Sequence, residues 1–286
     1  MTRKLDFTRK VARLDGGLGS RLQRELPDRE RDLAGHDGFF DALSRTRPEL
    51  VERVHREFLE AGCDHLTTNT FQTAFVGEED LELVASSVRL ARGVAEDRAS
   101  VLGSVGPGLL DRELDEARLA RFFATLEREG CDALLFETQT DGERMVRLES
   151  LARETAPSLP RLVSVVCDVN SALPVCRVHT SEQLATWASA RDVTLLSVNC
   201  ATGTAPLRDA LAELRRHWSG PLGAYPNAGV PEPAADGTWT YPLSPAEFAA
   251  GLAALVDEFD LKLAGGCCGT TTEHLRALHA ALTGRA

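Results

Sequence analysis

The 286-residue chain has no apolar run approaching the ~18 residues that cross a bilayer. Its opening stretch, MTRKLDFTRK, lacks the apolar core of a signal peptide. Neither a membrane span nor export is expected, and the cytoplasm is the expected location. No segment gathers Lys and Arg into a stripe, and the formal charge is −11, which argues against nucleic acid or an anionic membrane as partner. There is no CxxC knuckle, which is atypical of a structural zinc ribbon, and the seven histidines show no HxxxH spacing. A dinucleotide fingerprint is also missing. Gly17-Leu18-Gly19 is followed by Leu22 where the third glycine belongs, and Gly103–Gly108 has the wrong spacing, with Pro107 removing an N–H. Internal repeats and low-complexity tracts are absent.

What remains is an ordinary globular composition, 43% apolar and 26% charged, long enough for one large α/β domain or two small ones. Seven cysteines without an export signal are expected to be reduced thiols. Cys63, Cys131, Cys167 and Cys176 are scattered and read as small packing residues. His55, His274 and His279 lie in helical stretches and read as solvated or packed rather than as ligands.

Eight short segments read as buried parallel strands: 10–15, 64–69, 100–105, 132–137, 162–168, 193–199, 222–225 and 261–265. Helical spacing covers 48–61, 80–98, 113–129, 141–154, 181–189, 206–217, 244–258 and 271–282. The first opens with Pro48 and aligns Leu50, Val51, Val54, Phe58 and Leu59. The last carries Thr270 and Glu273 at capping-box spacing. This alternation predicts an α/β fold, a (β/α)8 TIM barrel formed as one domain over 1–286, with an open doubly wound sheet as the rival. The Pro- and Gly-rich stretch 228–244 reads as one long loop. Unusual polar residues recur where strands end: Asp15-Gly16-Gly17, Thr68-Asn69-Thr70, Gly106-Pro107, Glu137-Thr138, Asn199-Cys200, Pro226-Asn227 and Cys267-Cys268. In a barrel these all fall on the C-terminal rim, where active sites are built.

The most informative of them is Gly265-Gly266-Cys267-Cys268-Gly269. Neighbouring side chains on a regular strand point to opposite faces, so two adjacent sulfurs converge only where the backbone bends, and flanking glycines permit that. Convergent sulfurs suit a soft ion such as Zn²⁺, with Cys200 as the third ligand. A buried vicinal pair or a redox disulfide is the alternative. Three thiolates leave one position for a substrate thiol, which zinc would hold as a thiolate able to attack an electrophilic carbon. An amino-acid thiol also needs a carboxylate for its ammonium, from Glu137 or Asp15, and backbone N–H donors for its carboxylate, from the turn at Gly16 and Gly17. Glu137 otherwise reads as a buried acid paired with a base, and Asp15 as a helix N-cap or turn former. Thr68, Asn69 and Thr70 orient ligands or close the rim by hydrogen bonds, and Asn227 lies near the metal.

These landmarks carry a resemblance. LDGGLG (14–19), PELVERVHREFLEAGCDHLTTNTFQ (48–72), LLFETQ (134–139), VNCATG (198–203), AYPNAGVPE (224–232) and GGCCGTTTEHLRAL (265–278) resemble the homocysteine S-methyltransferase family over nearly the whole chain. The cysteine-bearing stretches are most similar to the homocysteine-binding module of cobalamin-dependent methionine synthases. The segment 167–176 departs from the family pattern. The resemblance implies a (β/α)8 barrel, a catalytic zinc on Cys200, Cys267 and Cys268, and Asp15, Gly16 and Glu137 in a homocysteine pocket. It implies methyl transfer to homocysteine sulfur, giving methionine. The donor would be S-methylmethionine, S-adenosylmethionine, a betaine-like compound, or methylcobalamin on a separate protein, since no corrinoid or folate domain is expected here. A half-enzyme awaiting a corrinoid carrier, or a methyltransferase for another thiol, is the alternative.

Overall fold

The computed structural model of the chain describes residues 5, 7, 11–25, 27–108, 113–166, 180–234 and 239–283. Eight parallel strands form a ring: β1 (Ala12–Arg13), β2 (His65–Thr67), β3 (Ser100–Val105), β4 (Ala133–Gln139), β5 (Arg161–Val166), β6 (Leu195–Asn199), β7 (Leu222–Tyr225) and β8 (Leu263–Ala264). The order runs β1-β8-β7-β6-β5-β4-β3-β2, and a parallel bridge from Leu14 to His65 joins the two ends. A closed ring settles the choice against an open sheet. All eight expected strands are present, with β1, β2 and β8 shorter than expected. Residues 167 and 168, expected to end the fifth strand, lie outside the described residues.

Eight helices cover the ring: α1 (Pro48–Glu60), α2 (Leu81–Ala95), α3 (Glu116–Arg128), α4 (Gly142–Thr155), α5 (Ser181–Ala190), α6 (Ala205–His217), α7 (Pro245–Phe259) and α8 (Thr272–Thr283). Five of them start on a side-chain cap. The carboxylates of Asp80, Asp115 and Asp141 accept the N–H three residues on, and Thr180 with Gln183 and Ser244 with Glu247 form capping boxes. Helix α1 buries the expected stripe and adds His55 to it. Helix α2 stops at Ala95, short of 98, because Glu96 takes φ 47° and turns the chain out of the helix.

Strand periodicity divides the core in two. Leu134, Phe136, Val163, Leu196 and Val198 point outward and pack under the helices. Leu14, Leu102, Ala133, Leu135, Leu162, Leu195, Tyr225 and Leu263 point inward and fill the barrel. The inward phase continues as Ser104, Glu137, Ser164 and Asn199, so an apolar plug gives way to a polar layer toward the C-terminal rim.

Three expectations are corrected. Thr270 caps no helix: its hydroxyl donates to the Cys267 carbonyl at 2.7 Å and accepts the Gly17 N–H at 3.1 Å, so it is spent tying two rim loops together. Asp15 is not an N-cap either, since Gly17 precedes the helical turn Leu18–Gln23. The stretch 228–244 is not one loop, because Glu232–Pro233 and Trp239–Thr240 pair as an antiparallel ribbon. Short helical segments at Leu18–Gln23, Arg29–Asp32, Phe40–Ala42 and Leu43–Thr46 fill a region to which periodicity assigns nothing. His55, His274 and His279 are buried packing residues, and His65 packs beside Phe7 with ring centroids 5.9 Å apart and planes tilted by 57°. Among the described residues no helix is long and apolar enough to cross a membrane.

Candidate metal centre and ligand cavity

The ends of β6 and β8 bring three thiols together. Cys200 follows Asn199 at φ 56°, a left-handed conformation that turns its sulfur off the strand line. Cys267 and Cys268 occupy the bend after β8. The Cys267 and Cys200 sulfurs are 3.5 Å apart, and all three sulfurs lie within 4.8 Å of one another. All three are free thiols. This donor set fits a soft divalent ion, and among the described residues it is the one cluster of metal-ligand type. Cys63 and Cys131 are buried elsewhere, and Cys167 and Cys176 lie outside the described residues.

The bend is held from behind. Cys267 N–H donates to the Pro226 carbonyl at 2.8 Å, and Gly266 N–H to the Asp15 carbonyl at 3.0 Å. Asn227 joins the two cysteine loops: its Oδ1 accepts the Cys268 N–H at 3.0 Å and its Nδ2 donates to the Cys200 carbonyl at 3.3 Å. Gly17 passes so close that a Cβ there would stand 2.4 Å from the Cys267 carbonyl oxygen. Contacts with Cys200 and Cys267 hold the Cys268 thiol well below the usual range, and contacts with Cys200 and Cys268 push Cys267 up.

A cavity of about 420 Å³ opens beside the sulfurs. Its wall includes Cys200, Cys267, Cys268, Asp15, Gly16, Gly17, Thr68, Asn69 and Glu137, so nine of the eleven residues expected at the site meet there, all but Thr70 and Asn227. Asn227 stands behind the wall as a clamp. The Gly17 N–H, expected to face a ligand carboxylate, is taken by Thr270. Thr68 ties strands together, with its hydroxyl 2.6 Å from that of Thr70 and accepting the Ser104 N–H at 3.0 Å. Asn69 reaches sideways, donating to the Phe40 carbonyl at 2.9 Å and to the Ser44 hydroxyl at 3.0 Å.

Asp15 and Glu137 face this space with no basic partner among the described residues. Asp15 accepts the Thr67 N–H at 2.7 Å and the Thr67 hydroxyl. Glu137 accepts the Ser104 hydroxyl. Burial raises both to about 7, and the charge of Glu137 adds to the effect on Asp15. Such acids favour a cation brought in by a ligand.

Sequence reasoning missed Ser104, Asp41, Phe40, Tyr225 and Tyr241 on this wall. Ser104 and Tyr225 continue the inward phase of their strands, a usable signal. Asp41 has no such signal. It sits in a short 3₁₀ turn, accepts the Gln72 and Thr73 N–H groups at 2.7 Å each, and so fixes the loop after β2.

Fold and site together define a (β/α)8 barrel with a three-thiol centre and acidic cavity on its C-terminal rim. The chain belongs to the homocysteine S-methyltransferase family, whose model matches residues 13–282. It is 34% identical over 290 residues to the methionine synthase of Mycobacterium tuberculosis, covering 94% of this chain and 24% of that protein. The methionine synthase of Mycobacterium leprae matches to the same extent, at 34%. The chain thus spans about a quarter of the length of these relatives. The metallated homocysteine methyltransferase MmuM from Escherichia coli shares the fold, with a TM-score of 0.74 at 21% identity over 95% of this chain and 96% of that one.

Proposed function

We propose that the protein transfers a methyl group to the sulfur of homocysteine, forming methionine, at a zinc ion held by Cys200, Cys267 and Cys268. The observation that carries this reading is the meeting of three thiols, from strand ends 67 residues apart, on the wall of an acidic cavity. When bound, zinc supplies the Lewis acidity that keeps a substrate thiol deprotonated at neutral pH.

The chain's own residues do the rest. Glu137, held by Ser104, offers a carboxylate to the substrate ammonium, and Asp15, held by Thr67, is the second such group. Each ionises when a cation arrives, because the ion pair offsets the desolvation that otherwise keeps it protonated. Anchoring the ammonium fixes where the substrate sulfur lies relative to the donor. The sulfur lone pair then forms the new S–C bond, and the electrons of the broken methyl bond stay on the donor's heteroatom.

The wall supports a small cationic donor, a sulfonium such as S-methylmethionine or S-adenosylmethionine, or a betaine-like ammonium. Asp15, Asp41 and Glu137 share it with Phe40, Phe71, Tyr225 and Tyr241, and its described residues include no Lys, Arg or His. The identity to methionine synthases, with the resemblance to the cobalamin-dependent kind, supports a second reading, methylcobalamin as the donor.

Purified protein incubated with homocysteine and each donor separates the two. Methionine formed with a small onium compound alone bears out the first; methionine formed only with a methylated corrinoid protein bears out the second. C267A and C268A are expected to lose both zinc and turnover. Full turnover in a zinc-free C268A protein would falsify the metal assignment.

A further inference from the structure

We infer that Asp41, with the faces of Phe40 and Phe71, forms a second cation subsite in the cavity, one that takes the onium group of a small methyl donor. The inference rests on the proposed methyl transfer and adds which residues recognise the donor.

Asp41 is the acid that the acceptor does not use. Homocysteine brings one ammonium, for which Glu137 and Asp15 are already at hand, so a third carboxylate on the same wall is left without a cation. Asp41 is only 3% exposed, lines the cavity and makes no ion pair among the described residues. Its bonds to other residues all fall on one oxygen. Oδ2 accepts the Gln72 N–H and the Thr73 N–H at 2.7 Å each and the Thr73 hydroxyl at 2.8 Å. Among the described residues Oδ1 accepts no hydrogen bond from another residue. A buried carboxylate with no base beside it is costly unless a positive charge is supplied from elsewhere.

The subsite stands apart from the acceptor acids. Asp15 directly follows the bridged residue Leu14, and Glu137 lies within β4, so both belong to the strand ends. Asp41 belongs instead to a 3₁₀ turn strapped over the loop that leaves β2, and Asn69 fastens that strap through the Phe40 carbonyl. The two rings beside it are placed by glycines. A Cβ on Gly106 would stand 3.0 Å from Phe71 Cε2, and one on Gly19 would stand 3.6 Å from Phe40 Cδ2. Both rings reach the cavity.

The chemistry of this corner differs from that of an ammonium site. A methylated sulfonium or quaternary ammonium spreads its charge over methyl groups and has no N–H to donate at the charged centre. It is held by a carboxylate that needs no hydrogen bond from it and by aromatic faces, whose quadrupole is negative. Gln72, with its N–H fixed by Asp41, brings a side-chain amide to the same wall, a donor for the carboxylate that such compounds carry.

The test is D41N in the full chain, which keeps an oxygen for the Gln72 and Thr73 N–H groups and removes the charge. Calorimetric titration without acceptor thiol compares S-methylmethionine with methionine, and glycine betaine with its carbon isostere 3,3-dimethylbutanoate. The wild type is expected to favour at least one onium compound over its partner by ~10-fold or more, and D41N to lose that preference. Homocysteine, titrated separately, should bind D41N within ~2-fold of wild type. F40L keeps apolar volume without the aromatic face and should lower the preference by ~3-fold. A preference that survives in D41N overturns the subsite, and so does a D41N protein that loses homocysteine and the onium compounds alike. If D41N melts below the wild type, F40L decides, and a preference fully retained there overturns the inference. A wild type that favours neither onium compound also overturns it, while leaving methyl transfer from a corrinoid standing. A wild type that binds no homocysteine overturns the methyl-transfer reading itself.

Discussion

Thr138 and Asn199 hold each other across the barrel mouth by two hydrogen bonds. Thr138 N–H donates to Asn199 Oδ1 at 3.0 Å, and Asn199 Nδ2 donates to the Thr138 hydroxyl at 2.9 Å. Thr138 takes φ 58°, costly for a β-branched residue, and the β4–β5 register shifts between Phe136 and Gln139. The pair spans β5, whose Ser164 hydroxyl donates to the same Oδ1 at 2.9 Å. Asn199 is thus the bracket that keeps the Glu137–Thr138 turn beside the cysteines. N199A leaves the Thr138 N–H without its acceptor, and the expected loss is ~1–3 kcal/mol of stability in urea unfolding. A variant as stable as the wild type would show that the turn holds itself.

Asn227 has a different task, since it touches backbone on both cysteine loops. N227A should leave the barrel folded but loosen the spacing of Cys200 from Cys268. Zinc affinity, read by competition with a chelator, is expected to fall ~10–100-fold. Unchanged affinity would mean that the loops are set by their own strands.

Gly17 is constrained by contact alone, because its φ of −67° suits any residue. A methyl group there meets the Cys267 carbonyl oxygen at 2.4 Å, and backbone must move to admit it. G17A is expected to destabilise by ~1–3 kcal/mol and to weaken metal binding, because the displaced residue is one of the three proposed ligands. Melting and metal content measured on one preparation would check both.

Asp15 gives the fold a pH dependence of known sign. Its folded pKa is about 7 against an ordinary 3.8, with burial as the main cause. Below ~4 the group is protonated in both states and costs nothing. As pH rises toward 7 the unfolded chain gives up the proton while the fold retains it, so stability falls and then levels off above 7. D15N keeps an acceptor for the Thr67 N–H and removes the titration. The stability advantage of D15N over wild type should grow between pH 4 and 8, by on the order of 1–4 kcal/mol. A constant difference across that range would mean that the carboxyl ionises freely in the folded protein.

The alternation of strands and helices was legible because it is local. Each strand has a short inward and outward phase, and most helices have a cap beside an apolar stripe. Residues 18–47 were not legible, because segments such as Arg29–Asp32 and Phe40–Ala42 are too short to establish a period. Thr270 misled for a related reason. Capping-box spacing is a local pattern, and the hydroxyl was claimed instead by Gly17, 253 residues away.

Residue type alone made Cys200, Cys267 and Cys268 candidates for a soft ion, and strand-end position alone placed Asp15 and Glu137 on a rim. Closure of the ring decided the rest. It made β1 and β8 neighbours, brought Cys200 to 3.5 Å from Cys267, and turned Asn199, Asn227 and Tyr241 toward them. Local sequence selects torsions and faces. Which distant side chains come within bonding distance depends on how the strand ends are ordered around the barrel, and only the closed packing of the whole chain specifies that order.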